Sequence, residues 1–393
     1  MISPSNGFHT RFKFRLIGFV IVVSILCTAY GQNSAVSGLS LETGEHVKRP
    51  GWWPTKGTAA LSEYAGSAAC ARCHRSISAS QAQTPMFNAA SRPAEASVLR
   101  QHDNLQFSEG DYGYKLTRVG NQTVFLVENT WGTLSAPVAW AIGNGEVGQT
   151  YLLKKNDTYF ESRLSYFPGL SGLDITPGHS HNLPNDLEQA VGMPQDPATA
   201  KLCFGCHTTA STVSGVFNPE DSTPGIHCEA CHGPSAEHVK AEEHGNDSVA
   251  TPFNPADLAP HDSVDFCGAC HRTPADVGVQ MPGNIGMIGI RFSAYRLERS
   301  LCWGASGDAR ITCIACHDPH KPLEKDLASY DSKCLQCHAN TGHRARANQA
   351  AACTVASKDC VSCHMPKYEF EMVHATFTDH YIRIVRAGSG YRD

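Results

Sequence analysis

The chain has 393 residues, with 17 cysteines, 20 histidines and a formal net charge of −5 at pH 7. That length suffices for two ordinary domains. The acidic balance leaves no basic footprint for nucleic acid, and so many cysteines argue against an ordinary cytosolic enzyme.

At the start, Arg11, Lys13 and Arg15 precede a nearly continuous apolar run from Leu16 to Leu26, and Ala29-Tyr30-Gly31 offers a small-x-small cleavage site. This predicts a removable export signal over residues 1–31. The run is shorter than the about 20 residues of a membrane span. An uncleaved anchor, or a lipid on Cys27, is the alternative. Residues 32–63 are polar and read as an extended arm that Trp52 and Trp53 pin to the surface or to a cofactor edge. A first cysteine motif lies in residues 64–104, followed by an expected helix over Ser76–Ala90 that Pro85 kinks or interrupts.

Residues 105–182 contain no cysteine, and the stretch Leu105 to Phe167 has no histidine either. Alternating apolar segments predict strands at Tyr112–Arg118, Thr123–Glu128, Val138–Ile142, Gln149–Lys154 and Tyr159–Tyr166, an antiparallel meander inserted as a scaffold or lid. Residues 183–393 carry the remaining motifs, about 27 residues apiece between Cys203 and His364, which leaves room for short helices and loops.

The motif is Cys-x-x-Cys-His, and it occurs seven times. The cysteine pairs are Cys70 and Cys73, Cys203 and Cys206, Cys228 and Cys231, Cys267 and Cys270, Cys313 and Cys316, Cys334 and Cys337, and Cys360 and Cys363. The histidines that follow them are His74, His207, His232, His271, His317, His338 and His364. This is the attachment pattern of c-type haem. Two thiols three residues apart share one side of a helical turn and reach two vinyl groups of the same porphyrin; the next residue falls beneath the iron as the proximal ligand. Zinc ribbons also use cysteine pairs but do not require a histidine after each one. Seven covalent haems predict a mostly α or irregular multihaem cytochrome c fold, with the porphyrins supplying much of the core around the inserted meander. Outside the motifs, Cys302 and Cys353 remain after signal removal, either as a disulfide in an oxidising compartment or as unrelated thiols.

Each iron needs a second axial ligand or keeps an open face. His320 follows His317 too closely to cross the same porphyrin, so as a ligand it serves a neighbouring haem; the argument repeats for His238 after His232 and for His343 after His338. One of His374 and His380 is expected to ligate, as is one of His179 and His181. Met86 is either an axial ligand or core packing. His102 is a weaker candidate, and His227 is expected to point away from the iron of the motif it precedes.

The run Gly225-Ile226-His227-Cys228-Glu229-Ala230-Cys231-His232-Gly233-Pro234, followed by His238, resembles multihaem cytochromes of the c-552/4 type, relatives of hydroxylamine oxidoreductases and pentahaem nitrite reductases. Cys360 to Pro366 and Asp379-His380 resemble the end of such proteins. The resemblance spans about Tyr64 to His380 and implies a distal role for His238. The chain departs from the enzymes: it has no Cys-x-x-Cys-Lys motif and seven haem motifs where the oxidoreductases have eight. Tyr368, Tyr381 and Tyr391 match their crosslinking tyrosine only by position.

These readings lead to an exported seven-haem electron carrier of the periplasm or cell surface. Its expected partners are other cytochromes or a quinol-linked membrane donor, and membrane association is not intrinsic once the signal is removed. The competing expectation is an oxidoreductase on nitrogen or sulfur oxyanions, with Arg291, Arg296, Lys321 and His320 lining a pocket at an open haem. A haem-bearing structural subunit of an extracellular assembly is the third.

Overall fold

In the computed structural model, residues 40–246, 251–300, 302–303, 311–338, 353, 355–386 and 388–393 are described. His343 and Cys27 lie outside them. Among the described residues no helix is long and apolar enough to cross a membrane.

The alternating stretch forms a nine-stranded antiparallel sheet. Its strands are β1 (Ala90–Ser91), β2 (Asn104–Glu109), β3 (Tyr112–Val119), β4 (Gln122–Asn129), β5 (Gly132–Ile142), β6 (Gln149–Lys155), β7 (Thr158–Phe167), β8 (Gly172–Ile175) and β9 (Gly192–Pro194). Strands β2 to β8 pair in sequence order; β1 adds to β5 and β9 to β7. The five strands read from the sequence are β3 to β7. The others carry little periodic signal: β1, β8 and β9 are two to four residues long, and β2 buries only Leu105.

Alternation sets the register. Tyr114 lies opposite Val127 and Leu116 opposite Phe125, and these side chains are at most 1% exposed. Register shifts at Val138/Trp140 and Thr150/Leu152 bend the sheet. The bend brings β2 beside β8, and Arg163 of β7 forks onto the Glu109 carboxylate of β2 at 2.8–2.9 Å, so the meander is nearly a barrel.

Every motif begins on a short helix. The motif helices are α1 (Ser67–Cys73), α2 (Pro197–His207), α3 (Cys228–His232), α5 (Pro260–His271), α7 (Cys313–Cys316), α8 (Asp331–His338) and α9 (Cys360–His364). Two further helices matter below, α4 (Ala236–Glu243) and α6 (Ser293–Glu298). The expected helix over Ser76–Ala90 is shorter, Arg75–Gln81. Pro85 explains the stop, because its ring would meet the carbonyl of Gln81 one turn back.

The sheet and the motif helices share one body, Gly38–Asp393. Phe204, between the two cysteines of its motif, is fully buried against Trp140 and Tyr159, with ring centroids 5.1 and 5.2 Å away. The described part of the arm is fastened rather than extended. Ser40 Oγ donates to Asp265 at 2.6 Å, the Thr43 amide donates to Asp276 at 2.9 Å, and a helical turn spans Thr43–His46. Trp53 stacks on His46 at 3.8 Å and meets Phe266 edge-on.

Candidate haem site

The motif helices pack on one another. Helix α1 lies against α3, α2 and α7 both lie against α5, and α8 lies against α9. Carboxylates from within or beside the motifs fasten these pairs. Glu229, 3% exposed, sits between the cysteines of its motif and accepts the amides of Ala65 and Gly66, the entry to α1, at 2.8 Å each; it also accepts the Ser235 amide at 2.9 Å. Asp331 accepts the amides of Asp359 and Cys360 at 2.7 and 2.8 Å, joining α8 to α9. A carboxylate on a helix entry satisfies orphan amides and opposes the positive end of the dipole.

Two glycines of the Gly225–Pro234 run are demanded by backbone. Gly225 has φ +85°, and a Cβ there would lie 1.8 Å from the Phe87 carbonyl oxygen; Gly233 has φ +75° beside the Trp52 ring. Trp52 donates from Nε1 to the Ala230 carbonyl at 3.2 Å, so the arm clamps this motif.

All seven motifs open onto one continuous cavity of about 4490 Å³, and every one of their cysteines and histidines lines it. Divided among seven motifs this is roughly 640 Å³ each, within the roughly 300–1,000 Å³ of a site for one bound small molecule or cofactor. The cysteines are thiols here; in a haem-loaded chain the same sulfurs would be thioethers to the porphyrin edge.

The histidine nitrogens sort the candidates. Iron is bound through one ring nitrogen, and the hydrogen bond made by the other fixes which. Nδ1 donates to a backbone carbonyl in His207 (Ala89, 3.0 Å), His232 (Phe253, 2.9 Å), His364 (Arg383, 3.1 Å) and His380 (Thr378, 3.1 Å), leaving Nε2 for a metal. His320 turns Nδ1 toward Asp318 at 3.4 Å and His238 turns it toward Glu242 at 3.8 Å. All six line the cavity. Burial lowers the pKa of His207, His271 and His317, and burial with the neighbouring His317 lowers His380 to about 4. Neutral imidazole is the form that binds metal.

Among the described residues, two histidine pairs have the separation that two ligands of one metal ion would need. With a metal–nitrogen bond of ~2 Å on each side and each ring centre ~1 Å behind its nitrogen, the centroids would stand about 6 Å apart. His232 and His320 are 6.0 Å apart and parallel to 9°; His317 and His380 are 6.3 Å apart, tilted by 47°.

Other sequence candidates lie elsewhere. His179 and His374 do not line the cavity, and each has Nε2 on a carboxylate, Glu161 at 3.2 Å and Asp174 at 2.7 Å respectively. Each is one of a pair from which the sequence expects one ligand, and place in the chain carries no information on which nitrogen is engaged. Met86 lines the cavity and its carbonyl accepts the Ile226 amide at 2.9 Å. Among the described residues no disulfide joins Cys302 to Cys353. The expected oxyanion pocket is not assembled as read: Arg291, Lys321 and His320 line the cavity, whereas Arg296 is fully buried away from it, bidentate to Asp379. Glu229 and Asp331 were legible only as residues within or near motifs, since their amide partners come from other motifs.

Seven Cys-x-x-Cys-His motifs around one cavity, with histidine nitrogens turned into it, form the arrangement by which a multihaem c-type cytochrome would hold covalent haem c. Comparisons with known proteins find similarity over parts of the chain. The family model for cytochrome c554 and c-prime matches residues 179–233, which hold the Cys203 and Cys228 motifs. Multiheme cytochrome MtrA of Shewanella baltica (strain OS185) is 25% identical over 197 residues, 47% of this chain and 48% of that protein, so the chain spans about half the length of that relative. The outer cell wall cytochrome OcwA aligns over 82% of this chain and 80% of its own, with 17% identity and a TM-score of 0.42.

Proposed function

We propose that the chain is an exported seven-haem cytochrome, of the c-552/4 type, that carries electrons between other redox proteins in the periplasm or at the cell surface. The observation that carries this is the single cavity lined by all seven motifs. Cofactors sharing one cavity lie near enough for electrons to pass between them. The bound haems supply reversible one-electron chemistry, and the protein sets their potentials by axial ligand, burial and hydrogen bonding.

The chain's own residues divide the work. The cysteine pairs would hold the porphyrins and the motif histidines would bind the irons. His320 would supply the second ligand at the Cys228 motif and His380 at the Cys313 motif. His238 would serve the Cys70 motif, whose helix α1 neighbours α4 through the Arg72–Glu243 pair at 2.6 Å. Export fits the predicted signal and the seven thioether sites. The partners are one-electron proteins, other cytochromes or a quinol-linked membrane donor.

The deciding experiment is low-temperature electron paramagnetic resonance of the ferric holoprotein, with haem content measured on the same sample. Seven haems with low-spin signals alone support the carrier. A stoichiometric high-spin signal in intact protein replaces it with the oxyanion oxidoreductase, and nitrite, hydroxylamine and tetrathionate are then the substrates to test.

A further inference from the structure

The order of the motifs in space differs from their order in the sequence, and it is not a single file. Helix α5 stands at the centre. Three other motifs pack on its different sides.

On one side, Cys206 Sγ of α2 donates to the Ala269 carbonyl at 3.6 Å. The side chains of Cys206 and Cys270 also hydrogen-bond each other. On a second side, Cys231 of α3 packs into the apolar cluster of Trp53, Phe266 and Ala269. On a third, Cys313 and Ile311 pack with Val264, and Cys313 hydrogen-bonds Cys267. Beyond these, among the described motif helices α1 packs on α3, by the Glu229 cap and by Ser67 Oγ against Cys228 at 3.5 Å. The Cys334 motif follows the Cys313 motif, where Tyr330 meets His317 edge-on at 5.8 Å. The Cys360 motif follows in turn through Asp331.

Crowding at the centre has a local signature. The two residues between Cys267 and Cys270 are Gly268 and Ala269, the smallest such pair among the seven motifs. A Cβ on Gly268 would come within 2.5 Å of Thr273 Cγ2 and 3.3 Å of Ala294 Cβ. Larger residues there would push the neighbouring elements off α5.

We infer that the Cys267–His271 motif is the hub of a three-armed assembly, directly flanked by the Cys203, Cys228 and Cys313 motifs, whose free ends are the Cys70, Cys203 and Cys360 motifs. This rests on the reading that the motifs hold haem. It goes beyond carriage, because a file has two ends and offers one route, whereas a fork has three. An electron supplied by a reduced one-electron protein at one end then has two exits, each toward an oxidised one-electron protein. Every transfer oxidises one ferrous iron and reduces one ferric iron.

The test is an iron map of the full haem-loaded chain, by anomalous scattering in crystals or by electron cryomicroscopy. The expected result is that the iron on His271 has three nearest irons, those on His207, His232 and His317, each closer to it than any other iron. A map in which it has two such neighbours or fewer, or in which the iron on His74, His338 or His364 displaces one of the three, overturns the fork. A second readout is mutational: Ala269→Phe is expected to move the iron on His207 or His232 away from that on His271 while leaving the separations among the irons on His317, His338 and His364 unchanged. An unchanged map, with the phenyl ring accommodated, overturns the close packing at the hub. The spin-state measurement on the same sample judges the carrier reading separately, since a single file of seven low-spin haems defeats the fork and leaves the carrier intact.

Discussion

The imidazoles of His232 and His320 lie parallel to within 9° at 6.0 Å between centroids, although they belong to different cysteine motifs. His317, three residues before His320, faces His380 instead. On the proposed haem reading this would crosslink the two motifs, since the segment that supplies His317 to one iron would supply His320 to the other. The expectation that His320 serves a neighbouring haem followed from reach alone; which neighbour did not.

His320→Ala should open one distal face. Electron paramagnetic resonance of the ferric holoprotein is expected to gain one high-spin signal with haem content unchanged. His380→Ala should do the same at another haem. His179→Ala and His374→Ala should leave the spectrum alone, because their Nε2 atoms are held by Glu161 and Asp174. A high-spin signal from either of the last two would refute the nitrogen-based sorting.

Arg296 and Asp379 are both fully buried, and their bidentate bonds of 2.8 and 2.9 Å fix the residue before His380. Arg383 also donates to Asp379, at 2.6 Å. Breaking a buried pair from one side costs about 3–5 kcal/mol. Arg296→Met should therefore lower the thermal midpoint and add a high-spin component at the His380 haem. The double variant Arg296→Met/Asp379→Leu should recover part of the midpoint, since the fully buried pair is removed whole, with the recovery limited by Arg383, which loses its acceptor on Asp379.

Glu229 holds three amides across two motifs. Glu229→Gln keeps the shape and loses the charge. Hydrogen bonds to charged groups contribute about 1.5–3 kcal/mol each against about 1 for neutral ones, so the chemical denaturation midpoint should fall. Limited proteolysis should cut first near α1. Equal protection of α1 in variant and parent would show that the cap does not hold this helix.

Phe204 is fully buried between the sheet and the Cys203 motif. Phe204→Ala should destabilise by about 3–5 kcal/mol. Hydrogen exchange should quicken in α2 before it does in the β3–β4 hairpin, because the sheet keeps its own core.

Glu298 has its pKa raised to about 8, by burial first and by the nearby Asp265 carboxylate second. The folded state thus holds this proton at pH values where the unfolded chain has released it. Stability from this group is full below about pH 4.5, the unfolded value, and is lost as pH rises through about 8. Denaturation midpoints measured from pH 5 to 9 should fall less steeply for Glu298→Gln than for the parent. Parallel curves would place the raised pKa elsewhere.

What the sequence determined by itself is the chemistry. Cys-x-x-Cys-His is a local device, read within one helical turn, so its seven copies could be located without a fold. The meander was legible for a related reason: alternation along β3 to β7 is set by each strand's two faces. Short strands such as β1 and β9 exist only because a longer strand offers them an edge.

Only the tertiary structure decided which motif neighbours which, and which histidine faces which. Those relations join residues far apart in the chain, and no period links them. Glu229 reads in the sequence as a residue between two cysteines, yet it caps the helix of another motif. His374 and His380 read alike, but one has its Nε2 spent on Asp174 and the other keeps it for the cavity. Hydrogen-bond partners brought from elsewhere in the fold set the exposed nitrogen, and through it the ligand.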